Sequence, residues 1–319
     1  MDRNTDTHAA DIPITDTPIV AILLSTYNGA RYIDQQLQSF TEQTHPNWVL
    51  HWRDDGSVDD TPARMEAFAA GPGAHRCVGH TQHGRLNVTR SFMALLRDAL
   101  ETPASCFAFA DQDDVWLPDK LARGVAALGS GDQPVLYCAG HIAADEALNP
   151  IGSSPPVRRP PSFEAALTQN IAQGCTMMLN RPAAERIGRS EPPDGTWHDW
   201  WAYLVVTAGG GRVVVDAAAT VLYRQHGANH TGVAGSEWRR ALAALRRGQG
   251  PFIDILRRHV DSLCAQPFLV TGPKQAHLDM VARALKGGVR QRLQALRVPG
   301  FARQTWLETL LFRVWFLLA

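Results

Sequence analysis

Hydrophobic residues fall along this chain in two rhythms. Short unbroken apolar runs, Ile19-Val20-Ala21-Ile22-Leu23-Leu24 and Cys106-Phe107-Ala108-Phe109-Ala110, have the length and continuity of strands buried on both faces. Between them, Ile33, Leu37 and Phe40 recur at helical spacing, as do Phe92, Leu95, Leu96 and Ala99, and later Leu121, Val125 and Leu128. Each set predicts a helix that lays one face on a core. Further strands are predicted over 48–53, 76–80, 135–139, 177–179, 213–215 and 220–223. Pro62 behind Asp60 or Thr61, and Pro182 behind Asn180, read as helix starts. Strands that alternate with helices predict βαβ units, hence an α/β fold with a mostly parallel central sheet. The proline-rich stretch 149–161 breaks the pattern and predicts a loop.

Polar residues gather where the strands end. The first strand runs into Ser25-Thr26-Tyr27-Asn28-Gly29 and the second into Asp54-Asp55-Gly56-Ser57. The strand ending at Ala110 runs into Asp111-Gln112-Asp113-Asp114, closed by Trp116 and Pro118. Ligands of open α/β sheets bind outside the carboxyl ends of the strands. One acidic turn is unremarkable, but several at one sheet edge build a site. Three carboxylates within four residues repel one another unless a cation neutralises them, and hard divalent ions such as Mg²⁺ or Mn²⁺ take oxygen ligands and bridge to phosphates. Farther on, Asp199 lies among Trp197, Trp200 and Trp201, where desolvation raises a carboxylate toward the pKa of a useful base. The strand end Tyr223-Arg224-Gln225-His226-Gly227 offers Arg224 to a phosphate and His226 to a metal or a phosphate.

Composition narrows the class. The chain is 45% hydrophobic and 19% charged, as expected of a folded globular protein. Its formal charge of zero hides two unlike parts: from Glu237 onward there are 14 Arg and Lys against 5 Asp and Glu, and before it 17 against 26. The basic segment suggests an anionic partner such as a phospholipid surface; it carries no recognised nucleic-acid motif. Five cysteines without C-x-x-C spacing indicate buried thiols of a reducing compartment. Residues 1–18 lack an apolar h-region and read as a disordered leader, and no run reaches the roughly 18 apolar residues of a membrane span. The expected location is cytoplasmic.

With these residues placed, the chain resembles the family 2 glycosyltransferases, especially their rhamnosyltransferase-like bacterial members, over roughly residues 19–229. Five pieces carry the likeness in order: Ser25-Thr26-Tyr27-Asn28-Gly29, Arg53-Asp54-Asp55-Gly56-Ser57, Asp111-Gln112-Asp113-Asp114-Val115-Trp116, His198-Asp199-Trp200-Trp201 and Tyr223-Arg224-Gln225-His226-Gly227. The resemblance implies a GT-A fold over 19–232, a nucleotide-sugar donor, a divalent cation and inversion at the anomeric carbon. It implies donor contacts from Ser25, Thr26, Tyr27, Asn28, Asp54, Asp55, Asp113 and Arg224. Asp114 then ligates the metal with Asp113 and His226, and Asp199 is the catalytic base. The choice among Asp111, Asp113 and Asp114 stays open. Gly84-Arg85-Leu86-Asn87 stands where relatives usually carry an Asn-x-Gly turn, which makes Asn87 and Arg90 further donor-site candidates.

Residues 233–319 read as a basic helical extension, with helices over 237–247 and 253–263. The last apolar stretch, 306–318, is too short to span a bilayer and has the aromatic and arginine content of an interfacial helix. Peripheral contact with the inner face of the membrane, beside a saccharide or lipid-linked acceptor, is one expectation; packing back on the domain, or against a second copy, is the other. A nucleotidyltransferase is a rival reading, but it calls for a Gly-rich phosphate loop after the first strand. A non-catalytic nucleotide-sugar-binding scaffold is another, separable by donor turnover rather than donor affinity.

Overall fold

The computed structural model describes residues 17–80, 85–227, 246 and 248–319. Most of the expected leader, and all of the expected helix over 237–247 except Arg246, lie outside the described residues. The first strand β1 (Val20–Thr26) sits between β2 (Trp48–Asp54) and β4 (Cys106–Ala110), parallel to both, and β3 (Cys77–Gly79) adds a parallel edge to β2. The connecting helices are α1 (Ile33–Thr41), α2 (Thr61–Ala70) and α3 (Val88–Leu100). This half matches the βαβ reading. Side chains of β1 alternate between two cores, with Ala21 and Leu23 on one face and Val20, Ile22 and Leu24 on the other. Burial on both faces is why the run is apolar without interruption.

Beyond β4 the sheet becomes mixed. A short β8 (Met178–Asn180) lies antiparallel between β4 and β6 (Val135–Ala144). β6 then pairs in parallel with β9 (Arg212–Arg224), and β5 (Val115–Trp116) closes the edge antiparallel to β9. Two details differ from the periodicity. The predicted strands over 213–215 and 220–223 are one strand, because a register shift opposite Gly140 lets it continue. Asp216 anchors that irregularity by accepting from Arg123 Nε at 2.8 Å, the Tyr137 hydroxyl at 2.9 Å and the Ala218 N–H at 2.9 Å. The proline-rich segment is not all loop, since β7 (Pro150–Ser153) folds back on β6 as a hairpin.

Helices cover both faces. α1, α2 and α4 (Lys120–Leu128) pack on one core; α3, α6 (Arg181–Gly188) and α7 (His198–Ala208) pack on the other, beside α5 (Phe163–Thr168). The C-terminal helices α8 (Gly250–Ala265), α9 (Pro273–Lys286), α10 (Val289–Ala295) and α11 (Trp306–Leu318) follow. Leu256 and Val260 of α8, Leu278 of α9 and Phe312 and Phe316 of α11 join the α3–α7 core, so the extension shares the domain's interior. Among the described residues no helix is long and apolar enough to cross a membrane.

Asn180 ties the mixed half together. Its Oδ1 accepts from Ala183 N–H at 3.1 Å, capping α6, and from Val135 N–H at 2.9 Å, while Nδ2 donates to the Gln133 carbonyl at 2.8 Å. Asn180→Ala removes a cap and strands buried backbone groups, so unfolding in urea should show a loss of about 2–3 kcal/mol. A loss too small to resolve from wild type would mean that the asparagine does not organise this junction.

Candidate functional site

Strand order reverses at β1, which has β2 on one side and β4 on the other. A crevice opens outside the carboxyl ends of strands at such a point. Here it is a cleft of about 2720 Å³, reaching from the turn after β1 past the acidic turn and Asp199 to Phe252 and Trp315.

The three polar turns are bonded to one another. Asp54 forms an Asx turn, its Oδ2 accepting from Gly56 N–H at 3.0 Å and Ser57 N–H at 2.7 Å, with Gly56 at φ +89°. Its Oδ1 accepts from the Thr26 hydroxyl at 2.9 Å and the Ser57 hydroxyl at 2.6 Å. The Ser57 hydroxyl in turn accepts from Asn28 N–H at 2.8 Å, and Asn28 Oδ1 accepts from Val58 N–H at 2.9 Å. Asp54 is thus saturated by its own turn and does not line the cleft. Asp55 does: it pairs with the buried Arg53 at 2.6 Å and accepts from Leu86 N–H at 2.6 Å. Ser25, Thr26, Tyr27 and Asn28 also line the cleft, and the Arg85 guanidinium lies 4.2 Å from the Tyr27 ring centre.

Gln112 locks the acidic turn to the first. Its Oε1 accepts from Tyr27 N–H at 2.8 Å and its Nε2 donates to the Tyr27 carbonyl at 2.9 Å. Gly29 gives that amide room, because a Cβ there would stand 2.3 Å from Gln112 Oε1. The carboxylates on either side then diverge. Asp111 and Asp113 face the cleft, and Asp113 Oδ2 meets His226 Nε2 at 2.7 Å, with the His226 ring stacked on Tyr32. Asp114 turns inward and is 0% exposed. Its Oδ1 accepts from Arg224 N–H at 3.1 Å, the Cys175 thiol lies beside the same carboxylate, and Oδ2 has no hydrogen-bond partner. Donor atoms of Asp111, Asp114 and Cys175 lie within 4.8 Å of one another. Burial first, and then the charge of neighbouring carboxylates, pushes both Asp111 and Asp114 up from the usual range. Lys120, buried beneath with its ammonium 4.5 Å from the Trp116 ring centre, is pushed down to about 8 by burial. This wall of the cleft therefore gathers carboxylates that burial and mutual repulsion push toward the protonated form, and its outward donors are oxygen and imidazole. That donor set fits a hard divalent cation.

Asp199 occupies the first turn of α7 and lines the same cleft. Its carboxylate accepts from Gly174 N–H at 3.1 Å and Trp200 N–H at 2.6 Å, and burial pushes it up to about 6. It is near enough for its charge to raise Asp111. The tryptophans divide their roles. Trp200 Nε1 donates to the Ala166 carbonyl, Trp201 Nε1 to the Ser190 hydroxyl, and Trp197 is exposed. His198 stacks on Phe92 with ring centres 4.0 Å apart and is held neutral by burial, its pKa pushed down to about 3.

Besides Asp54, two more expected donor contacts are placed elsewhere. Arg224 is 1% exposed, and its guanidinium donates to the carbonyls of Asp113 and Glu146 and to Gln35 Oε1. It holds the acidic turn from behind through the Asp113 carbonyl and is not among the residues that line the cleft. Arg90 pairs with Asp194 at 2.8 Å outside the cleft, whereas Asn87 lines the cleft and caps α3 by accepting from Arg90 N–H at 2.9 Å. Residues that sequence reasoning passed over are Gln112, Lys120 and Cys175. The spacing of carboxylates hides the first, while Lys120 reads as an ordinary charged residue at a helix start and Cys175 as a small member of an apolar stretch until the fold sets them near Asp114.

A profile described as "Glycosyl transferase family 2" matches residues 21–188. The dTDP-rhamnosyl transferase RfbG of Shigella flexneri is 26% identical over 222 residues, covering 66% of this chain and 73% of that protein. The putative teichuronic acid biosynthesis glycosyltransferase TuaG of Bacillus subtilis is 24% identical over 56% of this chain and 67% of its own length. Among solved structures, S. aureus TarS 1-349 in complex with UDP-GlcNAc superposes with a TM-score of 0.55 at 14% identity, covering 86% of this chain and 83% of that one. The Pyrobaculum calidifontis mannosyltransferase PcManGT, in complex with GDP-Man and Mn²⁺, superposes with a TM-score of 0.51 at 20% identity over 94% and 86%. At these identities the superpositions establish a shared GT-A-type fold.

The position of Arg224 makes its removal a test of structure. Arg224→Ala leaves buried acceptors unpaired and should lower unfolding stability by about 3 kcal/mol. Unchanged stability would return Arg224 to the role of a cleft-facing anion ligand.

Proposed function

The chain belongs to glycosyl transferase family 2, and from that premise we propose that it transfers a sugar, with inversion, from a nucleoside-diphosphate donor to a hydroxyl of a saccharide or lipid-linked saccharide in cell-surface polysaccharide assembly. The observation that carries this reading is the presence of two unlike acidic groups on one cleft, near enough for one to raise the other. A partly buried carboxylate poised near neutrality, Asp199, lines the same cleft as an acidic turn whose outward members are Asp111 and Asp113. We assign the reaction to the cytoplasm, at the inner face of the membrane.

Asp199 accepts the proton of the acceptor hydroxyl while that oxygen attacks the anomeric carbon. The bond from that carbon to the diphosphate oxygen breaks, and the electron pair leaves with the nucleoside diphosphate. One displacement needs one base and no enzyme nucleophile, and it inverts the centre. Gly174 N–H and Trp200 N–H fix the carboxylate without protonating it. The nucleoside lies over the turn of Tyr27 and Asn28, with Asp55 beneath and Arg85 alongside. Asp113 and His226 would hold Mg²⁺ or Mn²⁺, with Asp111 beside them; Asp114, expected as the first ligand, is turned inward and would support the turn from below. When bound, the ion neutralises the charge that develops on the diphosphate. A relative named as a dTDP-rhamnosyl transferase favours dTDP-rhamnose as the donor.

Release of nucleoside diphosphate from a panel of nucleotide sugars should single out one donor, and Asp199→Asn should lower transfer by about 10²–10⁴-fold while donor affinity stays near wild type. A base works ionised, so the wild-type rate should fall on the acid side of about pH 6, where Asp199 takes up its proton; a rate indifferent to pH 5–7 argues against this base. Product anomers read by proton NMR should be inverted. Calorimetric titration of Mn²⁺ should show about tenfold or weaker binding in Asp113→Ala, and equal binding would remove Asp113 from the cation site. Donor binding without any turnover would favour a scaffold.

A further inference from the structure

Helix α11 is apolar nearly all round, yet two of its three sides have partners in the chain. Phe312 and Phe316 enter the core, while Leu311 and Trp315 line the cleft. The third side carries Trp306, Leu310, Val314 and Leu318, four residues apart and 63%, 52%, 45% and 67% exposed. Single exposed apolar residues need no explanation, but a continuous row marks an interaction surface. The neighbouring α10 adds exposed Val289 and Leu293, and it is joined to α11 by Arg292, which donates to the Leu317 carbonyl at 3.0 Å. Charge around the row is one-sided. Between 287 and 319 the chain has five arginines, at 290, 292, 297, 303 and 313, and a single carboxylate, Glu308. Glu308 is buried and bonded to the Thr305 hydroxyl, while Arg290, Arg297 and Arg313 are exposed.

We propose that this surface docks on anionic phospholipid, with the α11 row sunk into the headgroup boundary and the arginines among the phosphates. A helix of 13 residues is about 20 Å long, too short to cross the hydrocarbon layer, so it lies in the plane. A second copy would also cover an apolar row, but it would bring a second set of arginines against the first; lipid phosphate complements them. Because Leu311 and Trp315 of the same helix line the cleft, docking brings that end of the cleft to the lipid surface. There a lipid-linked acceptor would present its sugar hydroxyl. This last consequence rests on the glycosyltransferase reading, whereas docking itself does not.

The test is flotation of the full chain with phosphatidylcholine vesicles, with and without phosphatidylglycerol, against the double variant Leu310→Glu/Val314→Glu. Both positions are exposed and off the cleft, so circular dichroism and turnover of a soluble acceptor should match wild type. Wild type should float with the anionic vesicles and detach in salt, and the variant should lose about tenfold of its bound fraction. Failure of wild type to float, or equal flotation of the variant, overturns the proposal. So does a wild-type dimer that the variant dissolves in the absence of flotation, which would give the surface to a second copy. Turnover is read separately, so failure of docking and failure of the proposed chemistry remain distinguishable.

Discussion

Mutual repulsion of the carboxylates after β4 is the constraint to which the rest of the site answers. Three acids within four residues cannot all point the same way at neutral pH in a partly dehydrated cleft. The chain separates them. Asp114 goes inward, under the Arg224 N–H and the Cys175 thiol, while Asp113 goes outward to His226. Asp111 stays at the cleft wall, raised in pKa by burial and by the others. Gln112 between them cannot join the repulsion and instead clamps the turn to Tyr27. The arrangement is held from behind by Arg224.

The same economy of placement links the two halves of the molecule. The parallel half supplies the crevice at β1 and β4, and the mixed half supplies β9 with His226 at its end and α7 with Asp199 at its start. β8 is the joint between them, which is why Asn180 bonds to strand and helix together. The C-terminal helices complete the second core, and they also wall the far end of the cleft through Phe252, Leu311 and Trp315. Cleft and outer surface are therefore properties of one helix, α11.

Much of this was legible in the sequence where burial dictates composition. Uninterrupted apolar runs could only be strands covered on both sides, and the polar turns after them had to share an edge of a parallel sheet. The resemblance to family 2 glycosyltransferases, read from five short motifs, holds in the family match and in the fold. What stayed hidden depended on side-chain direction. Residue spacing does not tell that Asp114 faces down and Asp113 up, nor that Arg224 bonds carbonyls of its own chain and not a phosphate. Arg90 likewise shares a helix start with Asn87 but leans away to Asp194. The continuity of β9 was masked by the small and polar residues at 216–219, which break the apolar pattern while Asp216 keeps the strand paired.

The most direct measurement is a crystal structure with a nucleoside diphosphate and Mn²⁺, located by anomalous scattering. The account predicts the nucleoside over the Tyr27 turn, a manganese peak beside Asp113 and His226, and Asp199 on the same cleft and free of metal. A peak instead within the buried group of Asp111, Asp114 and Cys175, or a nucleotide bound away from the Tyr27 turn, would contradict it.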